Sequence, residues 1–231
     1  MKKFLKFLIG IVLLPFAFFF IYDFMGVIGT IIKNFQVTFP FLFGIAIYLI
    51  FHKYVYNFSR PYVLAHEVCH ALAAWCCGYE VTDMKVKEES GETKVSDVNT
   101  FVLLAPYCVP LYALVFTFLF YVTSLFWTDI LNYEKLFLGF LGFFVMFHLV
   151  HTYKSLTETE QSDITLAGGG MFSFVLIAII NLALIILLIN FLFPGIIAPT
   201  SIIKEVFIQT CNFWEKFFIY MHKFIVWAGN L

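Results

Sequence analysis

Long apolar runs alternate with short polar breaks along this chain, and the length of the runs sets the first constraint on its structure. A helix needs roughly 20 mainly apolar residues to cross the hydrocarbon core of a bilayer. About six stretches approach that length, at residues 4–22 (running on toward 32), 38–56, 61–77, 101–127, 135–153 and 170–193. Only two of the intervening segments are long and polar, 78–99 and 154–170. In the first, Val81, Asp83, Lys85 and Lys87 alternate with Thr82, Met84 and Val86, the turn-forming run Glu88-Glu89-Ser90-Gly91-Glu92 follows, and period two resumes from Thr93 to Val98. That pattern predicts a β-hairpin at the membrane surface. Near the C-terminus, Phe207, Cys211, Trp214, Phe218, Met221 and Ile225 recur at helical spacing among Lys204, Glu205, Glu215, Lys216 and Lys223. Segment 199–228 is therefore expected to be an amphipathic, interfacial helix. The predicted fold class is an all-α membrane protein: a polytopic bundle of about six transmembrane helices, with a small β-hairpin and a C-terminal amphipathic helix.

Composition agrees with the pattern. Of 231 residues 62% are hydrophobic and 13% charged, against about 25% charged in a soluble domain. The chain is expected to be a multi-pass integral membrane protein, in the cytoplasmic membrane if bacterial. With 14 Lys+Arg against 15 Asp+Glu, it has no basic surface for nucleic acid, and that partner class is excluded. Lys2, Lys3 and Lys6 precede the first apolar run without a small-residue cleavage site after it, so this run is read as a retained span, not a leader. Lys and Arg occur in nearly every loop, leaving the positive-inside rule only a slight tilt toward a cytoplasmic N-terminus. The five cysteines form no Cys-x-x-Cys pair and lie in or beside apolar stretches, as small buried hydrophobes do. No repeat or linker divides the chain, which reads as one domain over 1–231: two spans in 1–60, a catalytic core over 61–193 and the interfacial helix.

The chemistry concentrates at His66-Glu67-Val68-Cys69-His70, in the middle of the third apolar run. On a helix, positions i and i+4 share a face, so both imidazoles can reach one metal ion while Glu67 sits beside it. Zinc lowers the pKa of a coordinated water to about 7, and an adjacent carboxylate can take its proton as the water attacks a carbonyl. The motif thus supplies two ligands, His66 and His70, and a general base, Glu67. With 6 His in 231 residues, about 0.007 chance occurrences of the pattern are expected. Charged and imidazole side chains in an apolar helix are also costly in lipid, which marks them as functional.

A catalytic zinc takes a third protein ligand and keeps a position open for water. His52, His148, His151, Glu158, Glu160, Asp163, His222 and the hairpin acids can all offer one. Asp163 is preferred, because it stands where the chain re-enters an apolar stretch and can point inward from a helix start; His148 comes next. His148, His151 and Asn99 are candidates for orienting the site or stabilising an oxyanion. An exposed hairpin strand can hold an unwound substrate by β-augmentation, which makes Val81, Thr82, Met84 and Val86 substrate-binding candidates. Pro106 and Pro110 free backbone groups in the fourth run, and Gly168-Gly169-Gly170 is expected to serve close helix packing.

The order of these features resembles the site-2 protease family of intramembrane zinc metalloproteases: His-Glu-x-x-His in a membrane helix, then Gly78 and a polar hairpin, an apolar helix, and a late Asp before another apolar helix. The matching stretches are 66–78, 99–112 with Leu104-Ala105-Pro106-Tyr107-Cys108-Val109-Pro110, and 148–168 with His148, Thr152, Gln161 and Asp163. Carried over, the resemblance implies one zinc per chain held by His66, His70 and Asp163, Glu67 as general base, and a membrane-protein or peptide substrate. The Asn-Pro-Asp-Gly or Leu-Asp-Gly context usual around the family's Asp is here Gln161-Ser162-Asp163-Ile164. No segment has room for an inserted PDZ domain, so a small member is implied. Three other readings stand beside it. A transporter or assembly factor would use the buried His and Glu for protons or a structural metal. A membrane di-iron oxygenase would enlist His66, His70, His148 and His151, though such centres need about eight His by resemblance to that class. A prenyl-protein-protease-type site would use Glu158 or Glu160 as third ligand. The pattern specifies no oligomeric state.

Overall fold

The computed structural model describes residues 2–158 and 161–229. Their elements are α1 (Lys2–Lys33), α2 (Phe35–Tyr54), α3 (Ser59–Cys76), β1 (Val81–Val86), β2 (Gly91–Val95), α4 (Thr100–Cys108), α5 (Leu111–Phe126), a 3₁₀ turn (Thr128–Tyr133), α6 (Glu134–Glu158), α7 (Ser162–Ala167), α8 (Gly170–Leu192) and α9 (Pro199–Gly229). The fold is helical apart from one antiparallel hairpin, β1–β2, as the apolar runs and the period-two segment predict.

Among the described residues, four helices are long and apolar enough to cross a membrane: 3–33, 35–54, 128–157 and 170–192. A fifth span arises if α4 and α5 count as one, although they are bent by 72° at the break between them. The expected single run over 101–127 is thus two helices. The physical reason is Pro110, which cannot donate to the carbonyl four residues back and whose ring disfavours helical geometry at Val109; Val109 is extended, with ψ 110°. The third apolar run does become a helix, α3, yet Arg60, His66, Glu67 and His70 keep it below the apolarity of an ordinary span. Helix α9 coincides with the expected amphipathic helix, most of its residues are exposed, and only Val206 is buried.

The chain forms two compact units, Met1–Asn34 with Met171–Leu231, and Phe35–Gly170. In the first unit α1 packs along α9, with Phe19 edge-on to Phe213 and Gln209 donating to Asp23 at 3.5 Å. Gly10 of α1 lies against the Phe172 backbone, where a Cβ would come within 3.0 Å.

In the second unit the largest contact is between α2 and α6. Tyr48, fully buried, meets Phe143 and Phe147 edge-on at 5.1 and 6.0 Å. The two helices touch through their backbones: a Cβ on Gly44 would land on the Gly139 carbonyl, and one on Gly142 would land on the Phe41 carbonyl. Small residues allow such approach between membrane helices, where dispersion and close packing replace the hydrophobic effect as the driving force. Gly44→Val is expected to force α2 off α6 and to cost about 1–3 kcal/mol or more. A Cβ on Gly139 meets only the Pro40 carbonyl, at 3.5 Å, so Gly139→Ala should be nearly neutral. Thermal unfolding in detergent compares the two, and equal midpoints would refute the close contact.

The α3–hairpin–α4 region has its own small-residue core of Ala73, Ala74, Val102 and Ala105, onto which Val81 and Val95 of the hairpin pack. This core sets the distance of the hairpin and of α4 from the motif helix, and so positions the site.

Candidate active site

Helix α3 ends in a Schellman motif. Gly78, at φ 75°, donates to Trp75 O, and Tyr79 donates to Ala74 O at 2.9 Å. Only glycine takes that left-handed conformation without strain, and it reverses the chain. The hairpin therefore folds back along α3. Within β2, Gly91, Thr93 and Val95 share one face by the two-residue period of a strand. Val95 packs on the Ala73 and Ala74 core, while Thr93 Oγ1 donates to Glu67 Oε2 at 2.6 Å and lies 3.2 Å from the Glu67 carbonyl. Glu67 is 5% exposed.

On the neighbouring face of α3, His66 and His70 turn their Nε2 atoms toward each other at 3.2 Å. Asp163 Oδ2 completes a triangle, 3.5 Å from His66 Nε2 and 3.3 Å from His70 Nε2. Asp163 occupies the first turn of α7, whose start follows Gln161 in extended geometry. At Zn–N and Zn–O bonds of about 2.0–2.1 Å, two ligand atoms of a tetrahedral site are about 3.3 Å apart. The three edges bracket that value. Two neutral imidazoles and a carboxylate, leaving a fourth position open, are also the donor chemistry of a catalytic zinc. The residues fit the ion that the motif implies, and they form the one group of three metal-capable side chains among the described residues.

The orientation of these side chains has visible causes. His70 Nδ1 lies 2.9 Å from the Val102 carbonyl. In a regular helix that carbonyl would accept from the residue at 106, but Pro106 has no N–H. The carbonyl is free to accept from His70 Nδ1–H, which orients the ring so that Nε2 faces Asp163. The Ala73 and Ala74 surface brings α4 close enough for this bond. Asp163 is held by the buried Tyr107, whose hydroxyl lies 3.2 Å from Asp163 Oδ2 and 3.3 Å from Gln161 Oε1. The Tyr107 ring meets His66 edge-on at 5.1 Å, and Tyr62 covers another side of His66. Burial pulls the Asp163 carboxyl upward, but its hydrogen bonds with His66 and His70 outweigh burial and hold it well below the usual carboxylate range.

These groups open onto a cleft of about 690 Å³, bounded by α3, β2, the end of α6 and residues 161–163. His151 lines it, stacked on Tyr62 at 5.0 Å, with its Nε2 buried and unpartnered. His148 is buried on the other side of His66, facing a small separate cavity beside Cys69 and Tyr112. The histidines of a di-iron centre are therefore not gathered at one point. Asn99 does not line the cleft: its side chain caps α4 by accepting from Val102 N at 2.9 Å and donates to Cys77 Sγ. Val81, Thr82, Met84 and Val86 lie on β1, whereas β2 lines the cleft through Gly91, Glu92, Thr93 and Val95. Alternating polarity reveals a hairpin but not which of its strands lines the cleft. His52 packs against His151, and His222 is exposed on α9. Glu160 and the Glu158 side chain lie outside the described residues. Gly168 and Gly169 take φ 147° and 92° at the end of α7, and nothing lies within 4 Å of a Cβ at Gly169, so at that position the glycine serves backbone conformation and not the expected close packing. Tyr107 is the site residue that the motif pattern does not single out. The available signal was a phenol inside an apolar run, which requires a buried acceptor.

A membrane-embedded helical protein with a clustered His-His-Asp group defines the class to which the comparison with known families then gives a name. The family model described as Peptidase M50B-like, the site-2 protease family, matches residues 40–211. The chain belongs to this family, and with it to the membrane peptidases. Among curated proteins and among solved structures, no chain matches this one significantly.

Proposed function

We propose that this protein is a zinc endopeptidase that hydrolyses a peptide bond within or next to the transmembrane segment of a membrane protein. The observation that carries this reading is the triangle of His66 Nε2, His70 Nε2 and Asp163 Oδ2, with edges of 3.2, 3.3 and 3.5 Å. His66, His70 and Asp163 hold one zinc, with Val102 and Tyr107 orienting two of the three ligands. The ion, when bound, supplies Lewis acidity to the attacking water and to the scissile carbonyl. Glu67 accepts the proton of that water as its oxygen bonds to the carbonyl carbon, then delivers the proton to the amide nitrogen as the C–N bond breaks. The cleft between β2 and the end of α6 is where an unwound substrate segment enters. His151, with an unpartnered Nε2 on the cleft wall, is the better placed of the two α6 histidines to meet a developing oxyanion.

Elemental analysis of detergent-purified protein tests this reading. The expected result is one zinc per chain in the wild type, lost in His66→Ala and kept in His148→Ala. A wild type without metal, purified without chelators, would point to a transporter or scaffold that carries the motif without the chemistry.

A further inference from the structure

The hairpin does more than wall the cleft, because two consecutive inward-facing positions of β2 converge on one side chain. Thr93 donates to Glu67 Oε2 at 2.6 Å, the shorter of its two contacts with that residue. At Gly91, a Cβ would come within 2.5 Å of both Cγ and Oε1 of Glu67. The hydroxyl grips one oxygen of the carboxylate, and the bare backbone at Gly91 is the space in which the rest of it lies. Between them they restrict the rotamer of a buried acid that otherwise sits on an apolar helix. The third inward residue, Val95, anchors the strand to the Ala73 and Ala74 core, so the grip depends on the hairpin staying docked.

Resting on the protease reading above, we propose that Thr93 is a positioning residue for the general base. Its hydroxyl holds Oε2 of Glu67 so that the carboxylate is presented to water in one orientation, and Gly91 leaves the space for that orientation, since a Cβ there would push the carboxylate aside. Catalysis is then coupled to the docking of β2 on α3. Glu67 in turn fastens the hairpin, a consequence that holds whether or not metal is bound.

Two measurements test this. In a cleavage assay with a reconstituted transmembrane substrate, Thr93→Val, which keeps the shape and removes the hydroxyl, should lower kcat about 10- to 100-fold with KM nearly unchanged and zinc retained. Thr93→Ser should stay within about 3-fold of wild type, since it restores the donor. Gly91→Ala should fall with Thr93→Val. Separately, in zinc-free protein, hydrogen exchange of the β2 amides should quicken in Thr93→Val and in Glu67→Ala and stay at the wild-type rate in Thr93→Ser. Loss of kcat in Thr93→Val that Thr93→Ser does not rescue, or that merely follows loss of zinc, would overturn the positioning role. So would exchange rates indifferent to both residue 93 and residue 67. If the wild type neither binds zinc nor cleaves, the protease reading fails by itself, and the exchange experiment still decides whether Glu67 and Thr93 fasten the hairpin.

Discussion

Glu67→Gln will leave zinc at one per chain and reduce peptide-bond cleavage by roughly 10²- to 10⁴-fold, the range that a positioned general base contributes. The separation of the two effects follows from the geometry. The Glu67 carboxylate is not part of the His66–His70–Asp163 triangle; it is engaged by Thr93 of β2. Glutamine preserves volume, and its Oε1 can still accept from the Thr93 hydroxyl, so the hairpin remains docked and the ligands remain oriented. What glutamine cannot do is take a proton from water. The check is a single-turnover cleavage assay in proteoliposomes run beside elemental analysis of the same preparation. Cleavage at the wild-type rate with zinc in place would assign the base elsewhere, and Glu67 would then be a structural partner of the hairpin.

What the chain reveals before folding, and what it conceals, divides along the range of the interactions involved. The spans, the hairpin and the amphipathic α9 were legible because each is recorded as a local period: long apolar runs, two-residue alternation in 81–86, helical spacing in 199–228. The proposed ligand pair was legible for the same reason, since His66 and His70 are one helical turn apart and share a face of α3. Asp163 was reachable only through its position at a re-entry into apolar sequence, and that it is the acid beside the two imidazoles became visible only where the fold brings α7 to α3.

Contacts made across the fold were not legible. Tyr107 against Asp163, Thr93 against Glu67 and the backbone contact of Gly44 with Gly139 each join residues far apart in sequence, and each was spelled in letters with commoner meanings: an aromatic in an apolar run, a threonine in a strand, glycines in a membrane helix. Pro106 illustrates the gap most clearly. Its missing N–H predicts a freed carbonyl in the fourth run, as found at Val102, but only the approach of α4 to the small face of α3 determines that His70 uses it. The bend at Pro110 was half visible. Two prolines in a 27-residue run announced a disturbed helix, while the extended backbone at Val109 and the 72° turn show that Pro110 is the one that ends it.

The second large effect is expected at Asp163. Asp163→Ala removes one corner of the donor triangle and leaves His66 Nε2 and His70 Nε2 facing each other at 3.2 Å with no anion beside them. Two imidazoles alone are a poor zinc site, and both cleavage and bound zinc should fall to background. Asp163→Asn is the sharper test, because it keeps the shape and the Tyr107 contact while removing the charge. A neutral amide is a weak zinc ligand, so this variant should also lose metal on dialysis against a mild chelator that leaves the wild type loaded. Tyr107→Phe should be graded, not absolute. It removes the hydroxyl 3.2 Å from Asp163 Oδ2 without touching the donor set, and partners of that kind are worth about 10- to 100-fold in metal affinity. The order wild type, Tyr107→Phe, Asp163→Asn in zinc retention, read by competition with a chromogenic chelator, ties the ligand to the residue that orients it. If Asp163→Asn holds zinc as tightly as the wild type, the third ligand is another carboxylate, and the Asp163–Tyr107 pair is a hydrogen-bonded support for His66 and His70.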